Sequence, residues 1–440
     1  MSTIGTADVM IVNALQLLTL RPDAKGSPRS GRQMEELGII ENGGLAIADG
    51  KITQVGKTED VLRGNGLSPH GEIIDAAGRV VTPGFVDCHT HAIFAGTRAH
   101  EFEMRLQGLS YLEIAAGGGG ILSSVRAFRA ASNQRLEEEG LKRLDKMLQM
   151  GTTTVEIKSG YGLSTADETR ALEVINGLSK RHPMGVVPTF LGAHEIPEEF
   201  KRDKEAYVSL ITEELIPEVS RRRLARFCDV FCETGVFTVE QSERILNCGK
   251  RHGLAPKIHA EEFARSGGSA VAARVGAVSA DHLLCAEESD IDALKDAGVI
   301  AVLLPGTSFS LGLGRYAPAR KMMERGLPVA LATDCNPGSS MTESMQIVIT
   351  LACVEMRMTA AEAIIASTIN AAFAVGRGGD CGSLETSKEA DVLILDMEDY
   401  RELPYHYGVS NVHHVVKNGR VVVRSGAIVA RQRTGEGPYA

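Results

Sequence analysis

The sequence predicts an α/β protein: a (β/α)8 TIM-type barrel with a small β-sandwich domain assembled from both termini. Three observations predict it. Between residues 81 and 376, eight short apolar runs alternate with amphipathic stretches of helical length. Both ends carry hairpin signatures but too few strands for a sheet with a covered face. Polar residues of chemical interest gather where the apolar runs end, which in such a barrel is its mouth. At 440 residues the chain is long for one core, in keeping with a barrel plus an appendage. The expected division is 1–80 and 377–440 for the two parts of the β-sandwich domain, with the barrel at 81–376.

In chain order, Leu45-Ala46-Ile47-Ala48, Asp49-Gly50 and Lys51-Ile52-Thr53-Gln54-Val55 form the first hairpin signature, Asp-Gly supplying the two positive-φ turn residues. The barrel strands are expected at 84–86, 153–157, 186–191, 227–231, 256–258, 277–279, 300–304 and 328–332. Helices are expected between them. Leu136, Leu141, Leu144 and Leu148 share one helical face, and 240–251 and 291–297 are helical in pattern. The glycine run 117–120 lacks a preceding strand and a P-loop Lys-Ser/Thr, so it suits a mobile active-site loop better than a phosphate cradle. Asp391-Val392-Leu393-Ile394-Leu395 reads as a buried strand. Val415-Val416-Lys417, Asn418-Gly419 and Arg420-Val421-Val422-Val423 repeat the hairpin.

Composition excludes several classes. With 43% hydrophobic and 23% charged residues, the chain is that of an ordinary globular protein. A net charge of -9 without a basic run argues against nucleic acid as a partner. No apolar run is long enough to span a bilayer, and the N-terminus lacks a basic region before its interrupted apolar stretch, so neither a membrane nor secretion is expected. The eight cysteines contain no CxxC pair, which fits free thiols and a cytoplasmic location.

Chemistry is most concentrated at Asp87-Cys88-His89-Thr90-His91. Two histidines one residue apart on a strand project from the same face, and two converging imidazoles suit a divalent metal. Other strand ends deliver Glu156 to Gly162, His194, Glu233, His259 with Glu262, Asp281-His282 and Asp334-Cys335-Asn336-Pro337-Gly338. Any one of these alone is equally a hydrogen-bonded structural residue. Together, His89, His91, His259 and Asp334 make a three-nitrogen, one-oxygen set suited to zinc or iron, whose water would have a pKa lowered to roughly 7. Glu262, three residues after His259, suits proton transfer. His282 has two open roles: polarising a carbonyl oxygen, or partnering a ligand histidine from behind.

The strings Pro83-Gly84-Phe85-Val86-Asp87-x-His89-x-His91, His259 with Glu262, Asp281-His282 and Asp334 resemble the amidohydrolase superfamily over nearly the whole chain. Within it, Phe94 to Arg98, 117–121, Glu156-x-Lys158-Ser159-Gly160-Tyr161-Gly162-Leu163, Phe190 to His194, Asp229 to Glu233, Asp334-x-Asn336-Pro337-Gly338 and Pro404-Tyr405-His406-Tyr407-Gly408 are similar to the imidazolonepropionases of histidine degradation. The resemblance implies one divalent or trivalent metal ion, zinc or iron. It implies hydrolysis of the cyclic amide of 4-imidazolone-5-propanoate to N-formimidoyl-L-glutamate. It puts the metal on His89, His91, His259 and Asp334, and the anionic small-molecule substrate on Arg98, Tyr161, His194, Glu262, Asn336, Gly338 and Ser339. Glu262, His282 and Asp334 are then the expected catalytic groups, and a symmetric homodimer the expected assembly. Departures are small: Cys88 where many members have proline, Cys335 where an aromatic is common, Ser339 where threonine is frequent.

Arg98 offers a forked donor matched to a propanoate tail, with Tyr161 as an added hydroxyl; without the resemblance it reads as a solvent-facing loop arginine. Glu233, where two-metal amidohydrolases carry a carboxylated lysine, favours one ion. The alternatives are a deaminase of the same superfamily acting on a nucleobase-like ring, which shares the His259–Glu262 spacing, and a non-catalytic scaffold, which would typically have lost metal ligands.

Overall fold

The computed structural model describes residues 5–21, 26–109, 113–114 and 117–429. The chain opens with β1 (Gly5–Leu18), then β2 (Ile39–Ala48) and β3 (Lys51–Lys57), a short helix Thr58–Gly64, β4 (Asn65–Asp75) and β5 (Val80–Pro83). At the β2–β3 turn, Asp49 and Gly50 have φ of 49° and 73°, as a two-residue hairpin of this hand requires. Eight strands follow: β6 (Phe85–Asp87), β7 (Thr152–Lys158), β8 (Gly185–Ala193), β9 (Phe227–Cys232), β10 (Ala255–Ala260), β11 (Ser279–His282), β12 (Ile300–Leu303) and β13 (Val329–Leu331). The chain ends in β14 (Val392–Leu395), β15 (Val412–Lys417), β16 (Arg420–Arg424) and β17 (Ala427–Ile428).

β6 to β13 form one parallel sheet in sequential order, β6 at one edge and β13 at the other, with helices between successive strands as right-handed β/α units demand. The two edges meet above the last ladder pairs. Thr90 and Cys335 form a parallel bridge, His91 N donates to Cys335 O at 3.0 Å and Asp334 N to His89 O at 3.0 Å. Below them, Asp87 accepts from Thr333 N at 3.0 Å and Thr333 Oγ1 at 2.6 Å. Closure by these contacts is what sets the ends of the first and eighth strands side by side.

The helices follow from their caps and apolar faces. Helix Asn133–Gln149 starts at Ser132, whose side chain accepts from Arg135 N, and buries Leu136, Leu144 and Leu148, with Leu141 at the margin. Helix Val239–Arg251 carries a Thr238/Gln241 capping box. The sixth strand differs from expectation: it spans Ser279–His282 rather than 277–279. The preceding helix ends at Gly276 in the left-handed region, and the intervening residues are spent returning to the sheet.

The remaining strands form one nine-stranded mixed sheet in the order β17-β16-β15-β14-β5-β1-β2-β3, with β4 also on β1. Ile11, Leu17, Leu45 and Ile52 from the first segment share a core with Val392, Ile394 and Val416 from the last. The two hairpin turns meet: a Cβ on Gly419 would lie 3.0 Å from Gly50 Cα. Residues 1–4 and 430–440 of the terminal segments lie outside the described residues.

Candidate active site

His89 and His91 lie just beyond β6, His259 on β10 and Asp334 just beyond β13, and the fold brings all four together. His89 Nε2 and His91 Nε2 face Asp334 Oδ1 at 3.5 and 3.6 Å, and His259 Nε2 is 3.5 Å from His91 Nε2. These separations are poor for hydrogen bonds. They match the spacing, about 3.4 Å, of ligand atoms each about 2.1 Å from a shared tetrahedral centre. His89 Nε2, His91 Nδ1 and His282 Nδ1 are buried with no hydrogen-bond partner among the described residues. Burial holds His89, His91 and His282 well below the usual imidazole range, with Lys158, His194 and His259 respectively adding to it. Each ring so held is neutral and keeps one lone pair, and at His89 that lone pair sits on the unpartnered Nε2. Burial pushes Asp334 up to about 6 even though Thr307 Oγ1 donates to its Oδ2 at 2.6 Å. A carboxylate so placed gains from a cation beside it. Asp334 and His282 have positive φ of 52° and 78°, strain of the kind that gathers at functional sites.

Behind the histidines lies a lattice of charges that motif spacing did not reveal. Asp281 Oδ2 takes His89 Nδ1 at 2.6 Å and Asp229 Oδ1 takes His259 Nδ1 at 3.1 Å. Each bond fixes the tautomer that leaves Nε2 as the free donor atom. Lys158 Nζ lies 2.9 Å from Glu156, 2.8 Å from Asp229 and 3.7 Å from Asp281. Lys257 Nζ lies 3.0 Å from Glu156 and 3.0 Å from Cys88 O. All five charged side chains are fully buried. Burial would lower Lys158, but Asp229, Glu156 and Asp281 outweigh it and hold the ammonium above its ordinary range. His282 Nε2 faces Glu262 Oε2 at 3.6 Å, and its ring lies 5.4 Å from that of His89 and 5.3 Å from that of His259.

A pocket opens over this cluster, and every residue expected to touch substrate lines it: Arg98, Tyr161, His194, Glu262, Asn336, Gly338 and Ser339. His194 stacks on His91 at 4.7 Å, and its Nδ1 is fixed on Gly160 O at 3.0 Å. Burial, with Asp334 and Glu233 adding to it, pushes Glu262 well above the usual carboxylate range. Asn336 is already committed. Its Oδ1 accepts from the Gly338 and Ser339 amides at 2.8 Å, and its Nδ2 donates to Asp334 O at 2.7 Å, so its amide holds the turn that shapes the pocket. Glu233 receives Thr234 N and Phe263 N at 2.7 and 2.9 Å. Arg98 is buried rather than solvent-facing. Ile121, Glu195, Phe231, Phe263 and Leu311 also line the pocket; Ile121 and Phe231 lay within the motif strings without being singled out, and Glu195, Phe263 and Leu311 lay outside them.

The amidohydrolase family matches residues 257–422 and, in a second description, 72–190. Imidazolonepropionase from Brevibacillus brevis is 51% identical over 93% of this chain and 96% of its own. That of Geobacillus kaustophilus is 50% identical over 92% and 95%, and that of Symbiobacterium thermophilum 51% over 92% and 95%. Among solved structures, an adenosine deaminase from Xanthomonas campestris with bound zinc superposes with a TM-score of 0.71 at 18% identity, covering 98% of this chain and 97% of that one. E. coli guanine deaminase does so with 0.71 at 15%, covering 94% and 99%. At such identities these two speak for the fold alone.

Proposed function

The chain belongs to the imidazolonepropionase family of the amidohydrolases, and we propose that it hydrolyses 4-imidazolone-5-propanoate to N-formimidoyl-L-glutamate in L-histidine degradation. The observation that carries this reading is a buried arginine, Arg98, in the same pocket as His91, His259, Asp334 and Glu262, with His89 adjoining His91 and Asp334. A nucleobase-like ring has no carboxylate for that arginine, which weighs against a deaminase.

His89, His91, His259 and Asp334 would hold a single zinc or iron ion. Glu156, Asp229, Asp281 and Asp334 outnumber Lys158 and Lys257 in this buried cluster, so a bound cation would be favourable there. Glu233 braces a loop and Lys158 is held as an ammonium, which supports one ion rather than a carbamate-bridged pair. When bound, such an ion polarises an amide carbonyl and acidifies water.

The chain's own residues do the rest. Arg98 takes the propanoate tail, with the Tyr161 hydroxyl beside it. His194, Ser339 and the Gly338 backbone surround the ring. His282 faces the carbonyl oxygen as charge gathers there. Glu262 takes a proton from the attacking water and passes it to the departing ring nitrogen, with Asp334 beside it; burial, by raising its carboxyl well above the ordinary range, strengthens it as a base. Water adds hydroxyl to the carbonyl carbon, the ring C–N bond breaks and the nitrogen takes the proton.

The test is to incubate purified protein with 4-imidazolone-5-propanoate and follow loss of the ring absorbance, with metal counted per chain. Turnover with one metal per chain is expected; no turnover, or two tightly held ions, overturns the reading. Arg98→Met should raise KM for the acid about 10- to 100-fold and abolish its preference over the methyl ester.

A further inference from the structure

Behind Arg98 stands a buried carboxylate that none of the roles above uses. We propose that Glu101 is the positioning residue of the carboxylate subsite: it orients the Arg98 guanidinium and ties that orientation to the glycine-rich loop at 117–120. This rests on the proposed function, in which Arg98 takes the tail.

A guanidinium presents two edges of paired N–H groups, one through Nε and Nη2 and one through Nη1 and Nη2. Glu101 Oε2 accepts from Nε at 2.9 Å and from Nη2 at 2.7 Å, so the first edge is spent within the protein. Among the described residues nothing hydrogen-bonds the second edge, which is left for a ligand. Its Nη1 lies flat against Gly338, where a Cβ would stand 2.2 Å away. The arginine is thus clamped between a carboxylate and a bare stretch of pocket backbone. Glu101 is itself 1% exposed. It accepts from Gly120 N at 3.2 Å and from Ser123 Oγ at 3.0 Å, at the start of helix Ile121–Ala130. Burial would raise its carboxyl, but the Arg98 bond and charge outweigh this and hold it below its ordinary range. Arg98 and Glu101 are the N-cap and third residue of helix Ala99–Leu106, so local backbone geometry sets their separation.

Two effects of Glu101 oppose each other. As a second negative charge it repels an arriving carboxylate; as an anchor it removes the rotamer freedom that a long arginine would otherwise lose on binding. The repulsion is muted because Glu101 is paired to the guanidinium on the edge away from the ligand. Anchoring therefore dominates.

The test measures Glu101→Gln, Ser123→Ala, Arg98→Met and the Arg98/Glu101 double variant in the metal-loaded enzyme, with acid and methyl ester substrates. Glu101→Gln should raise KM for the acid about 10-fold, change kcat less than about 3-fold and narrow the preference for acid over ester. In the double variant the Glu101 change should add nothing to KM beyond Arg98→Met, because Glu101 acts only through Arg98. Unchanged or lower KM in Glu101→Gln, or a multiplied effect in the double variant, overturns the proposal. If Glu101→Gln does not fold, Ser123→Ala decides: a rise of about 2- to 3-fold in acid KM with ester KM unchanged supports it, and no change overturns it. Should Arg98→Met itself keep the acid preference, the carboxylate role of Arg98 fails and this inference falls with it. If only the Glu101 and Ser123 variants behave as wild type, this inference alone fails.

Discussion

Glu262 shows how position, more than residue type, makes a proton carrier. It is buried beside Asp334, which pushes its carboxyl well above the ordinary range, and His282 Nε2 is 3.6 Å away. Glu262→Gln keeps the shape and loses the exchangeable proton. Turnover should fall about 100-fold or more while bound metal, measured by elemental analysis, stays at wild-type level. Near-normal turnover would shift the proton work to Asp334. Asp281 calls for a different measurement. Its bond to His89 Nδ1 orients the ring, so Asp281→Asn should weaken metal affinity about 10- to 100-fold in a competition assay with a chelator. Of these two, Glu262 was legible from its spacing to His259. Asp281 appeared in the motif Asp-His, yet its bond to a residue 192 positions away could not be read from the chain.

At the scale of elements, caps and turns repeat what local sequence dictates. Helix Ala360–Ala366 opens with a Thr359/Glu362 capping box, and Arg320 grips both Glu362 oxygens at 2.8 Å. Burial would raise the Glu362 carboxyl, but Arg320 and the Thr359 amide outweigh it and lower it below its ordinary 4.5. A carboxyl depressed in the folded state contributes stability that is present above its unfolded pKa and lost as pH falls through the folded one. Glu362→Gln should therefore cost about 1–2 kcal/mol at neutral pH. In urea melts that difference should shrink below about pH 4.5, where the unfolded-state carboxyl begins to protonate while the folded one is still ionised. A gap that stays constant down to pH 3 would contradict the assignment. The sixth strand, by contrast, was misplaced by local pattern because the Gly276 turn consumes the residues expected to start it.

For the whole molecule, we propose that residues 1–80 and 377–440 fold as one unit about the barrel at 81–376, and that the enzyme is a homodimer. The meeting of the two hairpin turns bears on the first proposal. Gly419 has a φ of 72° and its hydrogen-side face lies against Ile47 and Gly50. Gly419→Ala should lower stability by about 1–2 kcal/mol from the left-handed backbone alone, and more from the contact with the other hairpin. Thermal melts of Gly419→Ala against Gly253→Ala, a positive-φ glycine with open space around it, separate the two contributions. Equal losses would mean that the turns do not support each other.

The sequence by itself determined the eight β/α units, both hairpins with their Asp-Gly and Asn-Gly turns, and the residues that crowd the barrel mouth, because periodicity, turn chemistry and strand-end position are local properties. Tertiary structure decided how those residues are used. Barrel closure sets His89 and His91 against Asp334, more than 240 residues away in the chain. Long-range packing supplies Asp229, Asp281 and the two lysines behind the ligand rings. It also commits Asn336 to its own turn and one edge of Arg98 to Glu101. A hydrogen bond between strands distant in sequence leaves no period or spacing along the chain, so only the folded barrel reveals which polar groups face substrate and which hold the others in place.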